Sequence, residues 1–393
     1  MDFNFPAEFV WGVSDMTPLP VQSALTPAFD EGMKVDRNPR EDAALTAELG
    51  ADTYHISIAW ARLFPAGGGK PVAGVRDRYD RYLDDLLGSG IQPWLRLDRA
   101  SLPPRLQARG GWTNRDSVYY FADYADYAAE QFGDRARHLL VEPGAAALPG
   151  ETLQHPLDRE AALALRVHHL NLAAGLSIKR LRQLNRDWQL GTDLNLPSHF
   201  ATNRDENEQT ALDRTFTDPL LRGSYPEGVG ELLEPHLQPD DLATVHTSLD
   251  FINLTVCSRV HEQTEPKADP DAQSAPATVS ESLYAHLVEL KETCDNPSVF
   301  ITGSVLLGAS ARHPVKDLER VTYLARHLEA AHRALAAGAQ VKGYAVRPLL
   351  DTERRERSGL VYLDDLQVPQ RKVSFKWYQE VIRNKGFDLG RTA

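Results

Sequence analysis

The stretch RHLLVEP at residues 137–143 predicts a buried β-strand that ends in a carboxylate. Its centre, Leu139 to Val141, is a short apolar run, which is typical of a strand covered on both faces. Pro143 cannot donate a ladder hydrogen bond, so we expect the strand to end before it. Glu142 is then left at the carboxyl end of the strand, where catalytic side chains lie in a barrel of parallel strands. The alternative is a glutamate in a solvated loop.

Strand and helix patterns alternate along the whole chain on both sides of this stretch. The other strands are predicted at residues 9–13, 54–58, 90–97, 189–196, 249–256, 298–302 and 341–346. Helices are predicted at 41–49, 77–88, 116–132, 159–184, 280–292 and 318–337, a surface segment at 203–209 and a mobile loop at 263–278. Because no change in composition marks a domain boundary, the pattern predicts one (β/α)8 barrel domain over residues 1–393.

Composition and charge exclude several classes of function. The net charge of −12 argues against non-specific binding of nucleic acid. The N-terminus lacks a signal-peptide pattern and no apolar run is long enough to cross a membrane, so we expect a cytoplasmic protein without a membrane partner. Two cysteines are too few for a disulfide framework.

The motifs of common cofactor sites are missing from the sequence. The glycine turn at residues 67–69 lacks the lysine and hydroxyl residue of a phosphate-binding loop. No set of histidines and carboxylates has the spacing of metal ligands. We therefore expect no metal and no other cofactor, and a small molecule as the ligand.

Short motifs spread over nearly the whole chain carry a family resemblance. They are FP at 5–6, WGV at 11–13, YHISIAWARLFP at 54–65, LP at 102–103, RGGWTNR at 109–115, FGDR at 132–135, DPL at 218–220, DFI at 250–252, GLVY at 359–362 and SFKWY at 374–378. Their order and spacing resemble those of glycoside hydrolase family 1, the β-glucosidase-like family. The resemblance implies a single (β/α)8 barrel. It also implies hydrolysis of β-glycosides with retention, carried out by two glutamates.

The chain departs from that family at both catalytic positions. The resemblance implies that Glu142 is the acid/base glutamate, but Val141 replaces the asparagine that precedes it in the family. The family's nucleophile motif, Ile-Thr-Glu-Asn-Gly, reads ITGSV at residues 301–305. Gly303 therefore stands in the nucleophile's place. We interpret the chain as a degenerate member that lacks the catalytic nucleophile.

The positions that hold the sugar in the family are changed as well. His55 stands where the family has an arginine that supports the nucleophile, and Arg99 and Ala100 replace a His-Trp pair. Cys257 falls in the family's Asn-Tyr-Tyr segment of the sixth strand, and Arg347 replaces a tryptophan on the eighth. Because the framework motifs are kept while these are lost, we infer release from sugar binding or recruitment to another ligand.

The remaining carboxylates limit the chemistry. Retaining hydrolysis needs two carboxyl groups about 5 Å apart. A lone general acid contributes roughly 10²- to 10⁴-fold, far below the accelerations of about 10¹⁷-fold that enzymes reach for very slow reactions. Glu142 alone therefore suits an easier reaction, such as a dehydration, a cyclisation, a proton shift or the opening of a reactive group. An inverting mechanism would need a second carboxylate about 6.5–9.5 Å away, for which Asp15 and Asp98 are candidates unless they are solvated rim residues.

Polar residues near the strand ends favour an anionic ligand. The candidate substrate-binding residues are Arg96, Asp98, Arg99, Asn195 and Arg347. The arginines among them lie on or just past the third and eighth strands, and converging guanidinium groups bind carboxylate or phosphate. The alternative is that these arginines pair with carboxylates such as Asp98, Asp351 or Glu353 and fill the space of the sugar.

Three functions remain open from the sequence. The first is a repurposed enzyme that uses Glu142 as a lone general acid/base on a small molecule, either anionic or a natural product. The second is an inert binding or scaffold protein in which Glu142 is a relic, and the third is a residual β-glycosidase with a relocated carboxylate. Asp15, His55 and Cys257 are further candidate site residues. Cys257 is a nucleophile only if a base lies beside it, and otherwise a small buried hydrophobic residue.

Overall fold

Parallel strands form a closed barrel in this computed structural model. The structure describes residues 2–15, 39–98, 102–142, 159–184, 187–196, 206–260, 279–307, 315–351, 358–364 and 366–388. In chain order, β1 (Asp2–Asn4) lies outside the barrel, which consists of β2 (Val10–Ser14), β3 (Thr53–Ala59), β4 (Gln92–Asp98), β5 (His138–Val141), β6 (Gln189–Leu196), β7 (Phe251–Val260), β8 (Val299–Leu307) and β9 (Val341–Arg347). Each barrel strand pairs with the next, and β9 pairs with β2 to close the sheet. The predicted (β/α)8 barrel is confirmed.

Helices between the strands cover the outside of the barrel. The longer ones are Pro39–Leu49, Ala73–Gly88, Asp116–Phe132, Arg159–Gln183, Glu206–Arg222, Val279–Thr293, Leu318–Ala336 and Val373–Asn384. Short α-helices span Trp60–Leu63, Pro104–Gln107, Glu227–Leu233 and Asp241–Val245, and 3-10 turns span Gly111–Thr113 and Glu234–His236. In the described part of the chain, no helix combines the length and the apolar character that a membrane crossing requires.

The predicted elements agree with the observed ones where the apolar pattern is long. The helix Asp116–Phe132 and the strand β6 have the predicted bounds. The segment at 203–209, predicted to be a surface stretch, overlaps the helix Glu206–Arg222, in which Phe216 and Leu220 are buried. The predicted mobile loop at 263–278 lies outside the described residues.

Two small antiparallel pairs of strands were not predicted. β1 pairs with β12 (Gly386–Asp388), and β10 (Val361–Leu363) pairs with β11 (Pro369–Arg371). Strands of three residues are too short to show a period of two in the sequence.

The barrel interior is divided into an apolar layer and a polar layer. Alternate residues of a barrel strand face the helices or the interior. Near the amino ends of the strands, the interior is filled by Trp94, Leu140, Phe251 and Phe300. Trp94 also stacks on His55 and His138, with ring centroids 4.6 and 4.1 Å apart. Side chains further along these strands therefore lie on an aromatic floor, toward the end where active sites occur in such barrels.

Candidate active site

Glu142 directly follows strand β5 at the carboxyl end of the barrel. Its side chain is 13% exposed, so the carboxylate lies at the boundary between the interior and solvent. The strand that carries it is held on both sides, because Val141 pairs with Leu97 and its carbonyl accepts a hydrogen bond from Thr192 Oγ1 over 2.7 Å. A carboxylate on a rigid strand end that still reaches solvent is placed to exchange protons with a ligand.

Arg96 on β4 forms an ion pair with Glu142 inside the barrel. Its side chain is only 1% exposed. Nη2 donates to Glu142 Oε1 over 2.5 Å and to Asp193 Oδ2 over 2.7 Å, and Nη1 donates to Ser14 Oγ over 3.1 Å. The sequence predicted Arg96 to be a substrate-binding residue. In the structure, its described partners are two carboxyl groups and one serine of the protein, and substrate binding by Arg96 stays a prediction.

Asp193 on β6 is the site residue that sequence reasoning missed. It is fully buried, and Asn253 Nδ2 and Thr255 Oγ1 each lie 2.8 Å from its Oδ1 as donors. Burial raises the pKa of Asp193 to about 7; Arg96 opposes this rise and the carboxylate of Glu142 adds to it. The available signal was the spacing of Asp193 within the predicted strand. Being two residues before Asn195, it had to share that residue's face of the sheet.

Asp15 is tied to the neighbouring strand β3. Its Oδ2 accepts a hydrogen bond from the Ser57 backbone nitrogen over 2.9 Å, and its Oδ1 accepts one from Ser57 Oγ over 2.7 Å. Burial raises the pKa of Asp15, although Ser57, Arg96 and Arg347 act in the opposite direction. Both of its oxygens therefore have protein donors already.

His55 and Arg347 lie in the same electrostatic environment. Burial is the main cause that lowers the pKa of His55 well below its usual value, and Arg96 adds to it, so His55 is neutral at physiological pH. Burial also lowers the pKa of Arg347, with a further contribution from Arg96. The Nε atom of Arg347 is buried without a hydrogen-bond partner. Arg347 therefore has a guanidinium donor that no described group of the protein accepts from, as do Arg96 and Arg320.

Gly303 lies on β8 opposite Val346 on β9. A Cβ atom added at Gly303 would come closer to the hydroxyl of Tyr344 than atoms can approach, and it would lie 2.7 Å from Tyr344 Cζ. Tyr344 is buried in the core outside the barrel, and its hydroxyl lies 3.3 Å from His327 Nδ1 on the helix Leu318–Ala336. The space that a side chain at position 303 would need is therefore filled by Tyr344.

We expect Gly303→Ala to lower the free energy of unfolding by about 1–3 kcal/mol, the usual cost of overpacking a core. Gly303→Glu should cost at least as much and should not create β-glucosidase activity. Urea unfolding of both variants, and assay of the second with an aryl β-glucoside, measure this. In a Tyr344→Phe background the cost of Gly303→Ala should shrink, because the clashing hydroxyl is gone. An alanine tolerated equally in both backgrounds would contradict the assignment of Tyr344.

The remaining sequence candidates have side chains outside the described part. Asp98 ends β4, Asn195 pairs with Thr255, and Cys257 pairs with Ser304, so their backbones belong to the barrel. Arg99 lies wholly outside the described residues. Among the side chains that the structure describes, no three His, Cys, Asp or Glu residues are grouped so that they could hold a metal ion.

Comparison with known proteins agrees with this fold along the whole chain. The family model "Glycosyl hydrolase family 1" matches residues 23–387. Beta-glucosidase A of Acetivibrio thermocellus is 31% identical over 389 residues, covering 88% of this chain and 86% of that protein. Thermostable beta-glucosidase B of Thermobispora bispora is 32% identical over 446 residues, covering 99% of this chain and 93% of that protein.

A solved structure gives the same result. The family 1 b-glucosidase from Thermotoga maritima has a TM-score of 0.79 and 28% sequence identity to this chain, covering 98% of this chain and 99% of that one. The chain therefore belongs to glycosyl hydrolase family 1, and the relatives it resembles are β-glucosidases.

Proposed function

We propose that this chain is a family 1 barrel without the catalytic nucleophile, repurposed as an enzyme that uses Glu142 as its lone general acid/base. The observation that carries the proposal is the placement of Glu142. It follows a fixed barrel strand, it is 13% exposed, and Arg96 holds it over 2.5 Å. Gly303 offers no carboxylate, and Tyr344 fills the space where one would begin.

The ion pair with Arg96 makes Glu142 a base first and an acid second. A guanidinium beside a carboxylate favours the charged form of that carboxylate. Glu142 would take a proton from a carbon or hydroxyl of the substrate and then give the same proton to the departing oxygen. In a dehydration, the C–H bond breaks, a C=C bond forms, and the C–O bond breaks as water leaves. The protein ends the cycle unchanged.

Arg347 supports a small anionic molecule as the substrate. Its buried Nε has no hydrogen-bond partner among the described residues, and a carboxylate or phosphate is the usual partner of such a guanidinium. The relatives' names suggest a molecule of glycoside size. This substrate class agrees with the loss of the family's sugar-binding positions.

An inert binding protein is the second candidate, supported by the same ion pair that ties Glu142 to Arg96. A residual β-glycosidase is less well supported, because neither described carboxyl group near Glu142 is available. Asp193 is fully buried, and both oxygens of Asp15 are bonded to Ser57. Release of the leaving group from an aryl β-glucoside, abolished in Glu142→Ala, would support it nevertheless.

Thermal-shift screening tests the proposal without a known substrate. Wild type and Glu142→Gln would be compared with glycosides, sugar phosphates and carboxylated natural products. A ligand at a hundredfold excess over its Kd stabilises the folded state by about 2.7 kcal/mol. We expect a carboxylated or phosphorylated compound to stabilise wild type in a way that depends on Glu142.

The matched control is Glu380→Gln, a carboxylate that is 65% exposed on the outer helix Val373–Asn384. It should respond to ligands as wild type does. If no compound stabilises wild type, the inert scaffold becomes the better explanation. If a compound stabilises wild type and Glu142→Gln equally, Glu142 is not part of the binding site.

A further inference from the structure

Glu142 and Asp193 meet at a single nitrogen atom. Arg96 Nη2 lies 2.5 Å from Glu142 Oε1 and 2.7 Å from Asp193 Oδ2. The two carboxyl groups are therefore neighbours, one facing solvent and the other sealed in the barrel. Two carboxylates this close do not ionise independently, because each disfavours the charge of the other.

The charged groups around the pair favour one bound proton on the two carboxyl groups. Among the described side chains, the carboxyl groups that face this region are Asp15 from β2, Glu142 from β5 and Asp193 from β6, and the guanidinium groups are Arg96 from β4 and Arg347 from β9. His55 from β3 is neutral, as is His138 below Trp94, whose pKa burial lowers to about 4. β7 and β8 contribute the uncharged Asn253, Thr255 and Thr302.

Among these described groups, three ionised carboxylates against two guanidinium groups would leave an unbalanced negative charge in a buried region. Uncompensated buried charge is costly, and a group in that position takes up a proton instead. Asp193 is the better recipient within the pair, because it is fully buried whereas Glu142 reaches solvent. Arg96 is then left to stabilise the carboxylate of Glu142.

We propose that Asp193 and Glu142 hold one proton between them across Arg96, and that Asp193 is the positioning residue that keeps Glu142 in its basic form. The catalytic role of this proton sharing rests on the proposed function, whereas the sharing itself does not. Asp193 does not touch a ligand, since its oxygens are taken by Arg96, Asn253 and Thr255 and no part of it is exposed. It acts through Arg96 and Glu142 alone.

The pair titrates as a unit, with apparent values that belong to both groups. Burial places the pKa of Asp193 at about 7, and the charge of Glu142 contributes to that value. As the pH rises through this value, the pair loses the proton that Asp193 holds. Removing the charge of Glu142 should therefore let Asp193 ionise at a lower pH.

Infrared titration of the carboxyl groups tests this without a substrate. We expect wild type to show the carbonyl band of a buried protonated carboxyl group that disappears with a midpoint near pH 7. Asp193→Asn should abolish this titration, and Glu142→Gln should move its midpoint to lower pH. Glu380→Gln is the control: it removes an exposed carboxyl group on the outer helix and should leave the band of the pair in place.

Thr255→Val is a second test in case Asp193→Asn does not fold. It removes one donor to the Asp193 carboxylate at nearly constant side-chain volume, so the midpoint should move to higher pH. A titration near pH 7 that survives Asp193→Asn, or a midpoint that Glu142→Gln leaves in place, overturns the inference. Either outcome is independent of catalysis, because loss of turnover in Glu142→Gln is measured separately.

Discussion

Arg96→Met is expected to lower the free energy of unfolding by about 3–5 kcal/mol, the usual cost of removing one partner of a buried ion pair. The substitution removes the positive charge that pairs with the carboxyl groups of Glu142 and Asp193. Of these two, Asp193 is fully buried. An uncompensated buried carboxylate costs more than the lost attraction alone. The midpoint and slope of urea unfolding measure this loss.

Three comparison variants separate the ion pair from loss of packing. Arg96→Lys keeps the positive charge but not the planar fork, so it should be less destabilising than methionine. Arg326→Met breaks the ion pair with Glu329, in which the two side chains are 59% and 23% exposed. It should change stability by no more than about 1 kcal/mol. In an Asp193→Asn background, Arg96→Met should cost less. Equal costs in both backgrounds would contradict the role given to this pair.

Glu142→Gln is expected to reduce kcat by roughly 10²- to 10⁴-fold on the compound that the ligand screen identifies. Glutamine keeps the size of the side chain but cannot accept and return a proton. The urea midpoint should change little, because Arg96 retains its ion pair with Asp193. Steady-state kinetics therefore separates this variant from Arg96→Met, in which stability is lost.

Glu142→Asp is the conservative counterpart. It retains a carboxylate but draws it back by one methylene, so its kcat should lie between those of wild type and Glu142→Gln. Glu380→Gln should behave as wild type in the same assay. An unchanged kcat in Glu142→Gln would falsify the proposed function and leave the inert scaffold.

The barrel could be predicted from sequence because its signals are local. The apolar run at 139–141, the proline after it and the alternation of strands and helices each depend on residues close together in the chain. The failures were also local. Strands of three residues, such as β10 and β11, are too short for a period, and the polar first turn of Glu206–Arg222 hid the start of that helix.

The sequence by itself determined the family, the closed barrel and the position of Glu142 at the end of a strand. Tertiary structure alone decided what Glu142 touches. Arg96 lies 46 residues from Glu142 and 97 from Asp193 along the chain, and only closure of the barrel brings the three together. The sequence left two roles open for Arg96: binding of a ligand, or an ion pair with a carboxylate of the protein. In the structure Arg96 forms ion pairs with Glu142 and Asp193. A guanidinium buried inside a barrel must be balanced by charged groups on the neighbouring strands.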